Sequence, residues 1–170
     1  MPMTMQFFDK LKQIKAFVFD VDGVLTDGML LLLGDGEWLR SMSIKDGFAL
    51  KHAIENRYKI CVISGSDSEA ILYRLQALGI EAIFSRVENK LAAMEKFLLQ
   101  NNLATHEVVY MGDDIPDIEL MRRAGFSACP ADAVQEVKDI ADYICQAPGG
   151  KGAVREVMEM VLKLNGHWSF

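Results

Sequence analysis

Phe17-Val18-Phe19-Asp20-Val21-Asp22-Gly23-Val24-Leu25-Thr26-Asp27-Gly28 decides how the rest of the chain is read. Ala16 to Phe19 is a short apolar run, which predicts a buried strand. It ends on two carboxylates one residue apart, followed at once by a glycine and a turn. Acids at the mouth of a hydrophobic strand are costly unless something pairs with them. A hard divalent cation such as Mg²⁺ is a natural partner for carboxylate oxygen. A strand that simply runs into a polar loop has the same pattern, so the other segments must decide.

Working outward, the chain alternates strand and helix. Met29–Leu33 and Glu37–Ile44 flank Gly34-Asp35-Gly36 and predict a β-hairpin, since Asp-Gly between strand-like runs is a strong hairpin signal. A helix is expected from Asp46 to Asn56 and a buried strand from Lys59 to Ile63, ending at Ser64-Gly65. Ser66 with Glu69 three residues later has the pattern of a capping box opening the next helix, which Gly79 stops. Ala82–Phe84 reads as a strand, Lys90 to about Asn101 as a helix, and Val108–Met111 as a strand ending on Gly112-Asp113-Asp114. Pro116 suits the first turn of a following helix. Outer strands are expected at Ser127–Cys129 and Tyr143-Ile144, with a helix from Asp132 to Ile140 between them and a last helix from about Gly152.

That alternation predicts an α/β fold: a single domain over residues 1–170, with a central parallel sheet covered by helices on both faces. In such sheets ligands bind beyond the carboxyl ends of the strands. Asp20 and Asp22, Ser64, and Asp113 with Asp114 all stand at such ends, and Lys90 opens the helix after the third strand. Four polar stations on four strands converge on one place.

Composition narrows the partners. Of 170 residues, 51% are hydrophobic and 25% charged, the profile of an ordinary globular protein. A formal net charge of -6 argues against nucleic acid. Cys61, Cys129 and Cys145 lack metal-ligand spacing and suit a reducing compartment. With no signal-peptide pattern and no apolar run near ~20 residues, no membrane span is expected and the cytoplasm is the expected location.

Carboxylates sharing one Mg²⁺, a hydroxyl and an ammonium together suit phosphoryl transfer, where catalysis is mostly positioning and electrostatics. An Asp is a recognised covalent nucleophile. Ser64 also reads as a turn residue, Lys90 as a solvated helix start, Asp117 as a charge favouring a helix N-terminus, and Thr26 as a turn former.

In this order, D-x-D-G-V-L-T-D-G, Ser64-Gly65, Lys90 and G-D-D-x-x-D resemble the four-motif signature of the haloacid dehalogenase superfamily. The resemblance extends over nearly the whole chain and implies a three-layer αβα sandwich with a Rossmann-like sheet. It implies Asp20 as nucleophile and Asp22 as general acid/base. Mg²⁺ would rest on Asp20, Asp113 and the backbone carbonyl of Asp22. Ser64 and Lys90 would hold the phosphoryl group, and Asp114 and Asp117 would support metal and lysine.

Only a hairpin, at about 29–44, and one helix separate the first strand from Ser64, so there is no room for a cap domain. The tail at about 148–170, with Pro148-Gly149-Gly150-Lys151-Gly152-Ala153-Val154-Arg155-Glu156, is a candidate cover. This arrangement, with Ile44-Lys45-Asp46-Gly47, resembles the capless phosphatases of 3-deoxy-D-manno-octulosonate 8-phosphate (KDO 8-phosphate). That family acts in lipopolysaccharide precursor synthesis and forms homotetramers through its hairpins. By this analogy Thr26, Lys45, Asp46, Gly65, Ser66, Lys151 and Arg155 are candidate contacts for an anionic sugar-acid phosphate. Many members carry Arg directly after the Ser/Thr-Gly of the second motif; this chain has Ser66 there. The small residue favours the eight-carbon acid over the nine-carbon, sialic-acid-type 9-phosphates. A phosphatase of broader sugar specificity is a further reading. A phospho-Asp signalling receiver lacks the need for Asp22, and a catalytically silent association module would release no phosphate.

Overall fold

The computed structural model describes residues 5–34 and 36–170. Asp35, in the expected hairpin turn, lies outside them. β1 (Ala16–Phe19) occupies the middle of a six-stranded sheet, flanked by β4 (Lys59–Ile63) and β6 (Val108–Met111). β5 (Ala82–Phe84) lies outside β4, while β7 (Phe126–Cys129) and then β8 (Tyr143–Ile144) lie outside β6. Every pairing is parallel. A separate antiparallel hairpin, β2 (Leu31–Leu32) and β3 (Trp38–Leu39), follows β1 in the chain and stays outside this sheet.

The central strands are apolar on both faces, as a doubly covered parallel sheet requires. Phe17, Phe19, Ile60, Val62, Val109 and Met111 face one way. There they meet α1 (Met5–Lys12), α2 (Ile44–Glu55), α3 (Glu69–Ala77) and α7 (Ala153–Leu164). Val18, Cys61, Ile63, Val108 and Tyr110 face the other way, against α4 (Lys90–Asn101), α5 (Ile118–Arg123) and α6 (Gln135–Lys138). The three layers are those expected, and all three cysteines are buried and free. Among the described residues no helix is long and apolar enough to cross a membrane.

The hairpin strands are shorter than the expected 29–33 and 37–44, and three helices differ from expectation, each for a local reason. α2 starts at Ile44 because Ser43 Oγ accepts from the amides of Lys45 and Asp46, a side-chain N-cap. The cap of α3 is Ser68, not Ser66: Ser68 Oγ accepts from Ile71 N, whereas the Ser66 hydroxyl is engaged elsewhere. The expected helix 132–140 contracts to α6. Asp132 accepts from Gly149 N, and Val134 N bonds to Asp113 O, so that both residues are held in loop geometry.

The strand order reverses at β1, where successive connections leave toward opposite edges. A crevice opens at such a switch point, beyond the carboxyl ends of the two strands that diverge. Those strands are β1 and β6, the two that end on the acidic motifs.

Candidate active site

After β1 the chain makes one wide turn over Val21–Leu25, closed by Thr26 N bonding to Val21 O at 3.0 Å. Gly23 sits in the left-handed region at φ +86°, and a Cβ built there would lie 2.0 Å from Asp113 Oδ2. Glycine is therefore required twice, for the backbone conformation and for the close approach of the β6 loop. Gly112 similarly makes room for Asp117, whose Cβ would lie 2.3 Å from an added methyl. These two glycines bring acidic residues from two loops into one space.

Asp117 is the scaffold of that space. Its Oδ1 accepts from Lys90 Nζ at 2.8 Å and from Tyr110 Oη at 2.7 Å, and its Oδ2 from the amides of Asp113 and Asp114 at 3.1 and 3.5 Å. All four acceptor positions of a carboxylate are thereby used. Lys90 Nζ also lies 2.9 Å from Asp20 Oδ1. Asp114 is exposed and accepts from Ile115 N, starting the short turn that leads into α5.

Asp113 is different. Its Oδ1 is buried and has no hydrogen-bond partner among the described residues. Carboxylate oxygens of Asp20, Asp113 and Asp117 lie within 4.8 Å of one another, with one ammonium among three acids. Burial, with Asp117 next, pushes Asp20 up to about 6 against the opposing pull of Lys90. Burial and the charges of Asp20, Asp117 and Asp114 push Asp113 up to about 7. For Lys90, burial works against the charge, but Asp20 and Asp117 outweigh it and its pKa is raised. An orphaned buried acceptor within an excess of negative charge is the donor set a hard divalent cation fits.

The cluster opens into a cleft of about 680 Å³ bordered by Asp20, Asp22, Ser64, Gly65, Ser66 and Lys90, with Pro116 and Glu119 across from them. That volume suits a small-molecule substrate. Ser64 is buried at the end of β4; its Oγ accepts from Ser66 N at 3.1 Å and lies 3.0 Å from Ser66 Oγ. Asp22 faces the cleft with its two oxygens held. Arg40 Nε reaches Oδ1 at 2.6 Å, and Ser66 Oγ donates to Oδ2 at 2.7 Å.

Residues 82–157 match the haloacid dehalogenase-like hydrolase family. The KDO 8-phosphate phosphatase of Salmonella typhi is 33% identical over 97% of this chain and 88% of its own length. The crystal structure of the enzyme of that name from Yersinia pestis superposes with a TM-score of 0.93 at 29% identity, over 96% of this chain and 88% of that one. A Moraxella catarrhalis KDO 8-phosphate phosphatase, solved with magnesium, phosphate and KDO, superposes with a TM-score of 0.89 at 32% identity, over 92% of this chain and 90% of that one.

The chain belongs to the KDO 8-phosphate phosphatase family of the haloacid dehalogenase superfamily. Its members are phosphoric monoester hydrolases. The capless architecture of the family accounts for the absence of a lid between β1 and β4.

Not every residue expected to contact substrate faces the cleft. Thr26 is fully buried and its hydroxyl is consumed by the turn, accepting from Gly23 N and Gly28 N and donating to Val21 O. Asp46, 2% exposed, accepts from Gly152 N at 3.1 Å and Arg155 N at 2.8 Å, so it caps α7. Arg155 turns away toward Glu159 and lies over the rings of Phe48 and Trp168. These three are structural within one chain. Lys45 and Lys151 are exposed and neither borders the cleft. The glycines of the tail do approach closely: Gly150 N bonds to Val24 O at 2.9 Å, against the outer side of the β1 turn. Arg40 was not foreseen, because nothing local distinguishes it from any charged residue in a hairpin arm.

Proposed function

We propose that this protein hydrolyses KDO 8-phosphate to KDO and inorganic phosphate, a step in lipopolysaccharide precursor synthesis in the cytoplasm. The supporting observation is the β1 loop. Asp20, buried and ion-paired to Lys90, lies beside the cleft, with Asp22 two residues on. The substrate assignment rests on the names of the relatives. The small Ser66 favours the eight-carbon acid over its nine-carbon analogue.

Asp20, Asp113 and the backbone carbonyl of Asp22 would hold Mg²⁺, with Asp117 and Asp114 fixing the loop that carries Asp113. An ion held there would supply positive charge to offset that on the transferring phosphoryl group and on the orphaned oxygen of Asp113. The chain's own residues do the rest. A carboxylate oxygen of Asp20 attacks phosphorus and the ester P–O bond breaks. Asp22 gives its proton to the departing oxygen, which leaves as the sugar alcohol. Water then attacks the aspartyl-phosphate, Asp22 takes the water's proton, the Asp20–phosphorus bond breaks and phosphate leaves. Lys90 and Ser64 steady the phosphoryl oxygens throughout. Two displacements suit a bond whose uncatalysed hydrolysis is among the slowest known.

Association is part of the proposal. Leu31, Leu32, Trp38 and Leu39 are each between 46% and 67% exposed on the hairpin. A projecting apolar ribbon of this kind marks an association surface, and a homotetramer joined through the hairpins accounts for it. Lys151 and the tail would then be placed to close a neighbouring cleft.

The test measures phosphate release from KDO 8-phosphate and from a nine-carbon keto-sugar acid 9-phosphate, with Mg²⁺ and with a chelator. We expect Mg²⁺-dependent release with kcat/KM at least ~10-fold higher for the eight-carbon ester, a margin worth about 1.4 kcal/mol. Asp20→Asn should abolish release while retaining the fold. Equal rates would leave a broad phosphatase, and no release from either ester would remove the assignment.

A further inference from the structure

Arg40 is buried where a hairpin residue has no structural need to be. Its neighbours Trp38 and Leu39 are 58% and 46% exposed, yet the Arg40 side chain is only 6% exposed. The ribbon thus turns its apolar residues outward and its cation inward, the reverse of what burial of apolar surface favours. Withdrawing a guanidinium from water is costly, and an ion pair of this kind is weak evidence for stability. The partner chosen is the carboxylate of Asp22, with Nε at 2.6 Å from Oδ1 and a longer Nη2 contact of 3.4 Å to Oδ2.

The return arm of the hairpin fixes this reach. Ser41 Oγ donates to Asp27 Oδ2 at 3.1 Å, and Met42 bridges to Thr26. Three successive residues therefore grip the loop that follows β1. On the opposite side of Asp22, Ser66 Oγ donates to Oδ2 at 2.7 Å. With one oxygen held from the hairpin and the other from the β4 loop, the carboxylate has little freedom to rotate.

We propose that Arg40 is a positioning residue for Asp22, acting with Ser66 to hold the proton-transferring carboxylate at the cleft. This rests on the phosphatase reading above. Arg40 touches no reacting atom and works through Asp22 alone. A misplacement of about 1 Å in such a group costs on the order of 10²-fold in rate.

The leaving group separates this role from others. An alkyl phosphate needs a proton on its departing oxygen, whereas p-nitrophenolate leaves without one. For Arg40→Gln, kcat/KM on KDO 8-phosphate should fall between about 10- and 100-fold. On p-nitrophenyl phosphate it should stay within about threefold of wild type, and Arg40→Lys should recover part of the loss, because it keeps the charge without the fork geometry. If Arg40→Gln folds poorly, Arg40→Lys carries the test alone, with the same contrast between the two esters at smaller amplitude. Equal losses on both esters would mean that Arg40 holds the phosphoryl group or the fold, and would overturn the proposal. So would an unchanged rate, or a gain such as removing a resting-state latch would give. Wild-type protein inactive on both esters would overturn the phosphatase reading itself, whereas an active wild type with any of those variant outcomes removes only the role of Arg40.

Discussion

Two aspartates, the buried Asp46 and the half-buried Asp113, show how the same side chain is used in opposite ways. In both, burial raises the pKa above the ordinary carboxylate range. Around Asp46 the chain supplies the compensation itself, through two amides at the start of α7. Around Asp113 it withholds it: one oxygen has no partner, and Asp20, Asp117 and Asp114 raise its pKa further. The first carboxylate joins two helices more than 100 residues apart in sequence. The second is left with an uncompensated charge that a cation from outside would offset. Burial and a perturbed pKa therefore do not by themselves mark a functional acid; an unpaired lone pair does so better.

Substitutions should separate the two. Asp113→Asn should lower phosphate release by about 10³-fold or more, equivalent to the several kcal/mol a bound metal supplies. Its metal-free melting temperature should equal or exceed that of wild type, and added Mg²⁺ should no longer raise it. A stable, fully active Asp113→Asn protein would erase the contrast. Asp46→Ala should do the reverse, leaving the amides of Gly152 and Arg155 without an acceptor at a cost of about 2 kcal/mol. For a chain of this size that is a loss of roughly 4–8 °C in melting temperature. Its kcat at 25 °C should change far less than that of Asp113→Asn.

The last effect is a dependence on pH. In the metal-free protein Asp20 and Asp113 titrate at about 6 and about 7, against about 3.9 for an unfolded Asp. Raised acids bind protons more tightly when folded. The stability they contribute is complete below about pH 4 and is lost as pH rises through 6 and 7. Melting temperatures should therefore fall between pH 5 and pH 8 without metal, and Mg²⁺ should flatten that slope. A slope unaffected by Mg²⁺ would place the ion away from these two carboxyls.

Much of this site was legible in the sequence because its parts sit where local rules apply. Asp20, Ser64 and Asp113 are the residues at which apolar runs end, and Lys90 is the first of a well-formed helix. Thr26, Asp46 and Arg155 were expected to contact substrate by analogy with the capless phosphatases, an analogy that cannot register which of their polar atoms the chain itself engages. Only the fold reveals that the Asp46 carboxylate is taken by amides from the far end of the chain. Ser66 and Ser68 are equally good caps by composition; the choice between them depends on Asp22 lying within reach of Ser66. Arg40 was invisible for the same reason: it follows β3 in irregular chain, and its inward direction is set by Asp22, which lies 18 residues earlier in the sequence.

Gly149 illustrates what such packing means for the tolerance of the chain to change. A methyl group there would sit 1.8 Å from the carbonyl oxygen of Gly23, backbone against backbone, with nothing soft to yield. In a library of all single replacements, scored for growth or turnover, position 149 should look as intolerant as the nucleophile itself. It would earn that score by pushing on the loop that bears Asp22, without touching any ligand.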